Sequence, residues 1–244
     1  MKRLALRYHI NPFLLALFFF FLLFASSVLI GLIVNSNISW VQSFDRYFYE
    51  LILNGPHPSW LDVVVSPFNF NFLPWMPVFE SFLAIAVIGC YLVIFFRRRF
   101  DFYWALVAGA MALAFDQGMA YLLPIIVYRQ RPFIALPNHL SAAAMAIWSA
   151  WPSFPSGHTR DTAVFMTVLA AFMPKALRWP MALFAVFIAW TRIYVGAHYP
   201  TDVIAGLIIG YLIGKIVLSF IEEVRKLQKE LEEKLPDPPK LSAG

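Results

Sequence analysis

Residues 13–34 read FLLALFFFFLLFASSVLIGLIV, with no charge anywhere in the run. A helix needs about 20 mostly apolar residues to cross the hydrocarbon of a bilayer, and this stretch supplies them. Lys2, Arg3 and Arg7 precede it, as the basic end of a signal peptide would. The apolar part of a signal peptide is shorter, about 7–15 residues, so the run reads as a retained membrane helix. Ala25-Ser26-Ser27 is the one place where a cleavage site fits.

Outward from this run, five more segments are apolar enough to cross: 75–96, 102–123, 160–174, 179–197 and 201–219. The sequence therefore predicts an all-α fold, a six-helix transmembrane bundle. Composition agrees, since 61% of the residues are hydrophobic and only 14% charged, against about a quarter charged in soluble domains. No linker or repeat divides the chain. Residues 1–220 read as one membrane-embedded domain, and 221–244 as a charged helical tail on the cytoplasmic side. Val224, Leu227, Leu231 and Leu235 recur there at helical spacing, and Pro236 ends the helix. The net charge of +5 does not point to nucleic acid, because the basic residues sit at the ends of apolar runs and not along a polar face. Cys90 is the single cysteine, so an intrachain disulfide is excluded.

Lysine and arginine set the orientation. Lys2, Arg3 and Arg7, then Arg97-Arg98-Arg99, then Lys175 and Arg178, then Lys215 with the tail, all fall on one side of a six-helix layout. That side is the cytoplasm, with both termini, and the expected location is a bacterial inner membrane. The opposite, extracytoplasmic face receives residues 35–74, 124–159 and 198–200. Within the first of these, Trp40 to Leu53 reads as an interfacial helix, closed by Pro56 and Pro58.

Polar residues gather on that outer side: Arg129 and Arg131 after the third helix, Ser156-Gly157-His158 opening the fourth, Thr191-Arg192 ending the fifth, His198 and Asp202 around the start of the sixth. Arginines there run against the orientation rule, and a bound anion would explain them. Phosphate-ester hydrolysis needs cations on the non-bridging oxygens, which Arg131 and Arg192 offer with forked donors. A helix start adds backbone N–H groups and a positive dipole end, and Gly157 lets a ligand approach the backbone. His198 is a candidate nucleophile, with Asp202 one turn away to orient it. His158 is a candidate general acid.

Arg131-Pro132, Pro155-Ser156-Gly157-His158 and Thr191-Arg192 with His198 and Asp202 together resemble the three-part signature of the type 2 phosphatidic acid phosphatase superfamily. The internal spacing of the last part matches: arginine, five residues, histidine, three residues, aspartate. The resemblance implies a phosphohistidine on His198, Asp202 as its orienter, and His158 as the acid. It implies Arg131, Ser156, Gly157 and Arg192 as phosphate ligands, with neither cofactor nor catalytic metal. The family's first motif often begins with a lysine where Pro124 stands here, so Arg129 is expected to supply that charge from another register. Thr191 stands where serine is usual.

The expected partners are membrane lipids and a lipid phosphate substrate, with undecaprenyl diphosphate preferred. Phosphatidylglycerophosphate, phosphatidate and lipid A phosphates remain alternatives, as does phosphoryl transfer to another lipid instead of water. A transporter is disfavoured because the charges cluster at one face. Arg160 and Asp161 read as a local pair, with contact to the substrate headgroup as the alternative, and the intramembrane Asp116 reads as a buried pairing group. Asp45, Arg46, Asp62 and His57 carry no signal.

Overall fold

A computed structural model of the chain describes residues 11–36, 38–65, 99–134 and 149–234, with positions 88–89, 92, 96, 136 and 145 between them. All regular structure among these is helical: α1 (Pro12–Asn35), α2 (Ser39–Leu53), α3 (Ser59–Val65), α4 (Arg99–Ile126), α5 (Gly157–Phe172), α6 (Arg178–Tyr194) and α7 (Pro200–Lys234). Short 3₁₀ turns lie at Pro132–Ile134 and Lys175–Leu177. The segment 75–96, expected as the second membrane helix, lies almost wholly outside the described residues.

The first apolar run is α1, and its ends follow from its sequence. The Asn11 side chain accepts a 2.8 Å bond from the Phe13 N–H, and Pro12 sits in the first turn, where its missing donor costs nothing. Inside the run, Ser26 and Ser27 donate back to the Leu22 and Leu23 carbonyls at 2.8 and 2.7 Å. Their hydroxyls therefore need no outside partner. Leu14, Phe18, Phe21 and Leu29 stand exposed, a surface that only lipid or another apolar partner would favour. Four described helices are long and apolar enough to cross a membrane: Pro12–Asn35, Phe102–Ile126, Lys175–Tyr194 and Pro200–Glu233.

The expected helix at 160–174 is α5, which starts three residues earlier and ends at Phe172. At 16 residues it spans about 24 Å, and it is the central element, buried against α4, α6 and α7. Its approach to α7 is set by small residues. Gly206, Gly210 and Gly214 fall one turn apart, and a Cβ on any of them would collide with α5. At Gly206 it would sit 2.8 Å from the Ser156 carbonyl oxygen, at Gly210 2.8 Å from the Ala163 Cβ, and at Gly214 2.8 Å from the Thr167 Cβ. Such stripes let membrane helices pack backbone to backbone. Here the packing locks the opening turn of α5 onto the opening turns of α7.

α2 is amphipathic, burying Val41, Asp45, Tyr49 and Leu53 at one-turn spacing while Trp40, Tyr47 and Leu51 stand exposed. Its aromatic outer face is of the kind seen at membrane interfaces. α4 runs three residues past its expected end, with Pro124 inside its last turn. α7, 35 residues long, spans about 52 Å and outruns the roughly 30 Å of hydrocarbon. No break separates the tail from the bundle. Ile221 is buried and Val224 packs on the main core, so the first turn of the tail is packed against the bundle. Lys226 pairs with Glu223 at 3.0 Å.

Candidate active site

Arg192, His198 and Asp202 are brought together by the way α6 ends and α7 begins. After Tyr194 the chain turns at Gly196, whose φ of 81° is left-handed and suits glycine. The Gly196 N–H bonds to the Ile193 carbonyl at 2.9 Å and the Ala197 N–H to the Arg192 carbonyl at 3.0 Å, a Schellman closure of the helix. The His198 N–H takes the same Arg192 carbonyl at 3.2 Å. Two residues on, Pro200 opens α7, and the Asp202 carboxylate accepts the Tyr199 N–H at 3.0 Å. A helix end, a glycine turn and a helix start thus require the arginine–histidine–aspartate spacing.

The His198 ring is buried, 3% exposed, and its two neighbours fix its tautomer. Nδ1 lies 2.8 Å from the Ser153 carbonyl oxygen, which can only accept. Nε2 lies 3.0 Å from Arg131 Nη1, which can only donate. Nδ1 therefore carries the proton, and Nε2 presents a lone pair beside a guanidinium. Asp202 orients this ring less directly than expected. Its Oδ2 is 3.8 Å from Nδ1, and Ser153 Oγ, donating to that oxygen at 2.5 Å, stands beside both. Burial, reinforced by Arg131, pushes the His198 pKa down to about 4, so the ring is neutral at physiological pH.

His158 is the second residue of α5 and lies within Coulombic reach of Arg192, His198 and Arg131. Ser156 precedes the helix; its N–H is held by the Asp202 carbonyl at 3.1 Å, and its hydroxyl accepts from Thr159 Oγ1 at 3.0 Å. A Cβ added at Gly157 would meet nothing within 4 Å, so the space before the α5 N-terminus is open. The first-turn N–H groups there have no helical acceptor. Arg131 also donates to the Trp151 and Ala197 carbonyls at 3.0 and 3.2 Å. Arg192 is 1% exposed, and its Nε points at the Thr191 hydroxyl at 3.4 Å. The sequence-predicted residues thus converge on one end of the bundle.

Arg129 departs from its expected role. Its Nη1 donates to Asp202 Oδ1 and its Nη2 to Asp45 Oδ2, each at 2.5 Å. Burial alone would lower its pKa, but Asp202 and Asp45 outweigh that and raise it. Its ring neighbour Tyr199 lies 4.2 Å away, face to cation. This charge is paired with two carboxylates. Asp45, which carried no signal in the sequence, also accepts from the Thr201 N–H at 2.9 Å and the Thr201 hydroxyl at 2.7 Å. From α2 it caps the first turn of α7. Ser153 was missed as well. Buried Arg160 pairs with buried Asp116 through Nε at 2.5 Å and with half-buried Asp161 through Nη2 at 2.9 Å. This is the pairing expected of them. Among the described residues, no group of three or more His, Cys, Asp or Glu is placed to hold a metal ion.

Comparison with known proteins puts this geometry in context. The family model described as PAP2 superfamily matches residues 105–226. Undecaprenyl-diphosphatase BcrC of Bacillus subtilis is 31% identical over 105 residues, 43% of this chain and 52% of that protein. The match therefore spans about half the length of BcrC. Lipid A 4'-phosphatase of Bacteroides thetaiotaomicron is 31% identical over 201 residues, 78% of this chain and 81% of that protein. The crystal structure of a transmembrane PAP2-type phosphatidylglycerolphosphate phosphatase from Bacillus subtilis superposes with a TM-score of 0.61 at 25% identity, covering 83% of this chain and 95% of that one.

Two expectations follow from the geometry. Asp45→Ala leaves Arg129 buried with one carboxylate, and breaking a buried pair costs about 3–5 kcal/mol. Thermal unfolding in detergent should show a clear drop in midpoint, and an unchanged midpoint would deny the pair its role. In ¹³C-histidine NMR of the substrate-free protein, the signal lost in His198→Ala should titrate near pH 4. The neutral ring is favoured in the folded state, so the proton arrives only as pH falls well below the usual 6.5. A midpoint at or above 6.5 would contradict the burial argument.

Proposed function

This chain belongs to the PAP2 superfamily, and from that premise we propose that it is a multi-pass membrane phosphatase that hydrolyses a lipid phosphate or diphosphate through a phosphohistidine on His198. The observation that carries this reading is the bare Nε2 of a neutral His198, 3.0 Å from the Arg131 guanidinium. A nucleophile without its proton stands where a phosphoryl oxygen would be held.

In the proposed reaction Arg131, Arg192 and the N–H groups at the start of α5 bind the non-bridging oxygens. His198 Nε2 attacks phosphorus, forming the N–P bond as the bond to the leaving oxygen breaks. His158 gives that oxygen a proton. The phosphorylated ring keeps its Nδ1 proton and becomes cationic, and Asp202 at 3.8 Å with the Ser153 carbonyl at 2.8 Å stabilise it. A water then yields a proton to His158 and attacks phosphorus, the N–P bond breaks, and inorganic phosphate leaves. Developing negative charge is met by guanidinium groups throughout, so the proposed chemistry is metal-independent. Arg129 acts one step back, holding Asp202.

The preferred substrate is undecaprenyl diphosphate, cleaved at its terminal phosphorus to undecaprenyl phosphate. Support comes from the BcrC relative and from the proline-bearing stretch before Arg131-Pro132-Phe133. The other relatives act on lipid A and phosphatidylglycerolphosphate, which keeps those substrates in the test. The proposed topology has six membrane helices in a bacterial inner membrane, with cytoplasmic termini and the site facing outward. It rests on the four basic clusters that fall on one side.

Phosphate release by the purified protein, assayed with a chelator present, tests the reading. Undecaprenyl diphosphate, phosphatidylglycerophosphate, phosphatidate and lipid A would be offered in turn. Release should persist in chelator and fall at least about a thousandfold in His198→Ala, as expected when a covalent nucleophile is removed. Undiminished release from His198→Ala would sink the mechanism.

A further inference from the structure

A groove of about 530 Å³ runs between α5, α6 and α7, from Ala163 and Leu207, one to two turns past His158 and Asp202, toward the other end of the bundle. Its size falls within the roughly 300–1,000 Å³ of small-molecule sites. Its floor is Ala163 and Ala185, both buried, and Ala170 and Ala182 keep its walls low. A trough exists there because five alanines, Ala171 among them, stand where larger side chains would fill it. Among the described residues that line it, the charged groups are Arg178 and Lys215, and none is a carboxylate.

Helix geometry places both cations at one end. Arg178 opens α6, about 21 Å of helix from Arg192, and Lys215 lies about 20 Å along α7 from Asp202. The apolar groove therefore ends, near the membrane surface opposite the histidine site, in two positive charges. Leu183, Val186, Tyr211 and Leu212 beside it stand exposed, so the groove opens toward the surroundings of the bundle. Lone cations at such depths commonly reach for headgroups at random. Here two of them converge on one acyl-sized trough, and basic pockets between membrane helices are a recurring form of anionic-lipid site.

We propose that the α5–α6–α7 groove binds one anionic glycerophospholipid of the leaflet opposite the histidine site, its acyl chain along the alanine trough and its phosphate on Arg178 and Lys215. The ligand is a phosphodiester lipid, which the proposed reaction does not consume. The site is distinct in place and in charge pattern from the one around His198.

The test uses the full chain in nanodiscs of mixed phosphatidylcholine and phosphatidylglycerol, with retained lipid counted by native mass spectrometry. The wild type should keep phosphatidylglycerol in preference to phosphatidylcholine. Arg178→Gln with Lys215→Gln should lower that retention roughly ten- to thirtyfold, from about 1 kcal/mol for each basic group near a lipid surface. Ala182→Trp, which fills the trough, should lower it with both cations in place. Phosphate release and the thermal unfolding midpoint of these variants should both stay at the wild-type level, and the midpoint alone shows that they fold. Equal retention in wild type and variants would overturn the proposal. So would loss of the lipid on adding vanadate, which would place it in the histidine site, or a second copy of the chain held through this face. Absence of turnover in the wild type would count against the proposed activity alone, since the lipid count does not depend on it.

Discussion

The arrangement depends on one buried guanidinium. Arg129 links Asp45 on α2 to Asp202 on α7, and its own backbone carbonyl accepts the Ser153 N–H at 2.7 Å. Three parts of the chain, around Asp45, Ser153 and Asp202, are therefore fixed to one residue. Two buried carboxylates without it would repel each other. With it, Asp202 is held beside His198, and Asp45 is held where it caps α7. Arg131 and Arg192 stand near the same cluster. Three arginines against two aspartates leave one positive charge among these five groups. A bound phosphate would compensate it, which is a reason for the site to favour an anion before any chemistry starts.

The backbone shapes the site as much as the side chains do. The carbonyl of Arg192 holds the turn that delivers His198, and the carbonyl of Ser153 decides which ring nitrogen is bare. The glycine stripe on α7 brings the opening turn of α5 close enough for the Ser156 N–H to reach the Asp202 carbonyl. Loss of any of these would displace the ring or the helix start. Such displacements matter because in-line attack tolerates little misplacement.

Much of this was legible in the sequence. The apolar runs announce the helices at 13–34 and 102–123, since lipid demands length and composition together. The clustering of Arg131, Ser156, Gly157, His158, Arg192, His198 and Asp202 was legible too, because each lies at the end of a run or just beyond one. Asp45 was not. It sits on an amphipathic helix among ordinary polar neighbours, and its partner is 84 residues away. The tautomer of His198 was hidden for another reason: it is set by a backbone carbonyl, which every residue possesses. The charge of Arg129 is visible in the sequence, but its carboxylate partners are not, because they lie 84 and 73 residues away.

The most direct test of the account is to trap the enzyme during turnover and locate the phosphoryl group. Rapid quenching in alkali with ³²P-labelled substrate, followed by peptide mapping and ³¹P NMR, would identify the residue and the nitrogen. The account requires an acid-labile phosphoryl group on Nε2 of His198. A phosphoryl group on Nδ1 or on another residue, or turnover with no covalent species under conditions that trap one elsewhere, would contradict it.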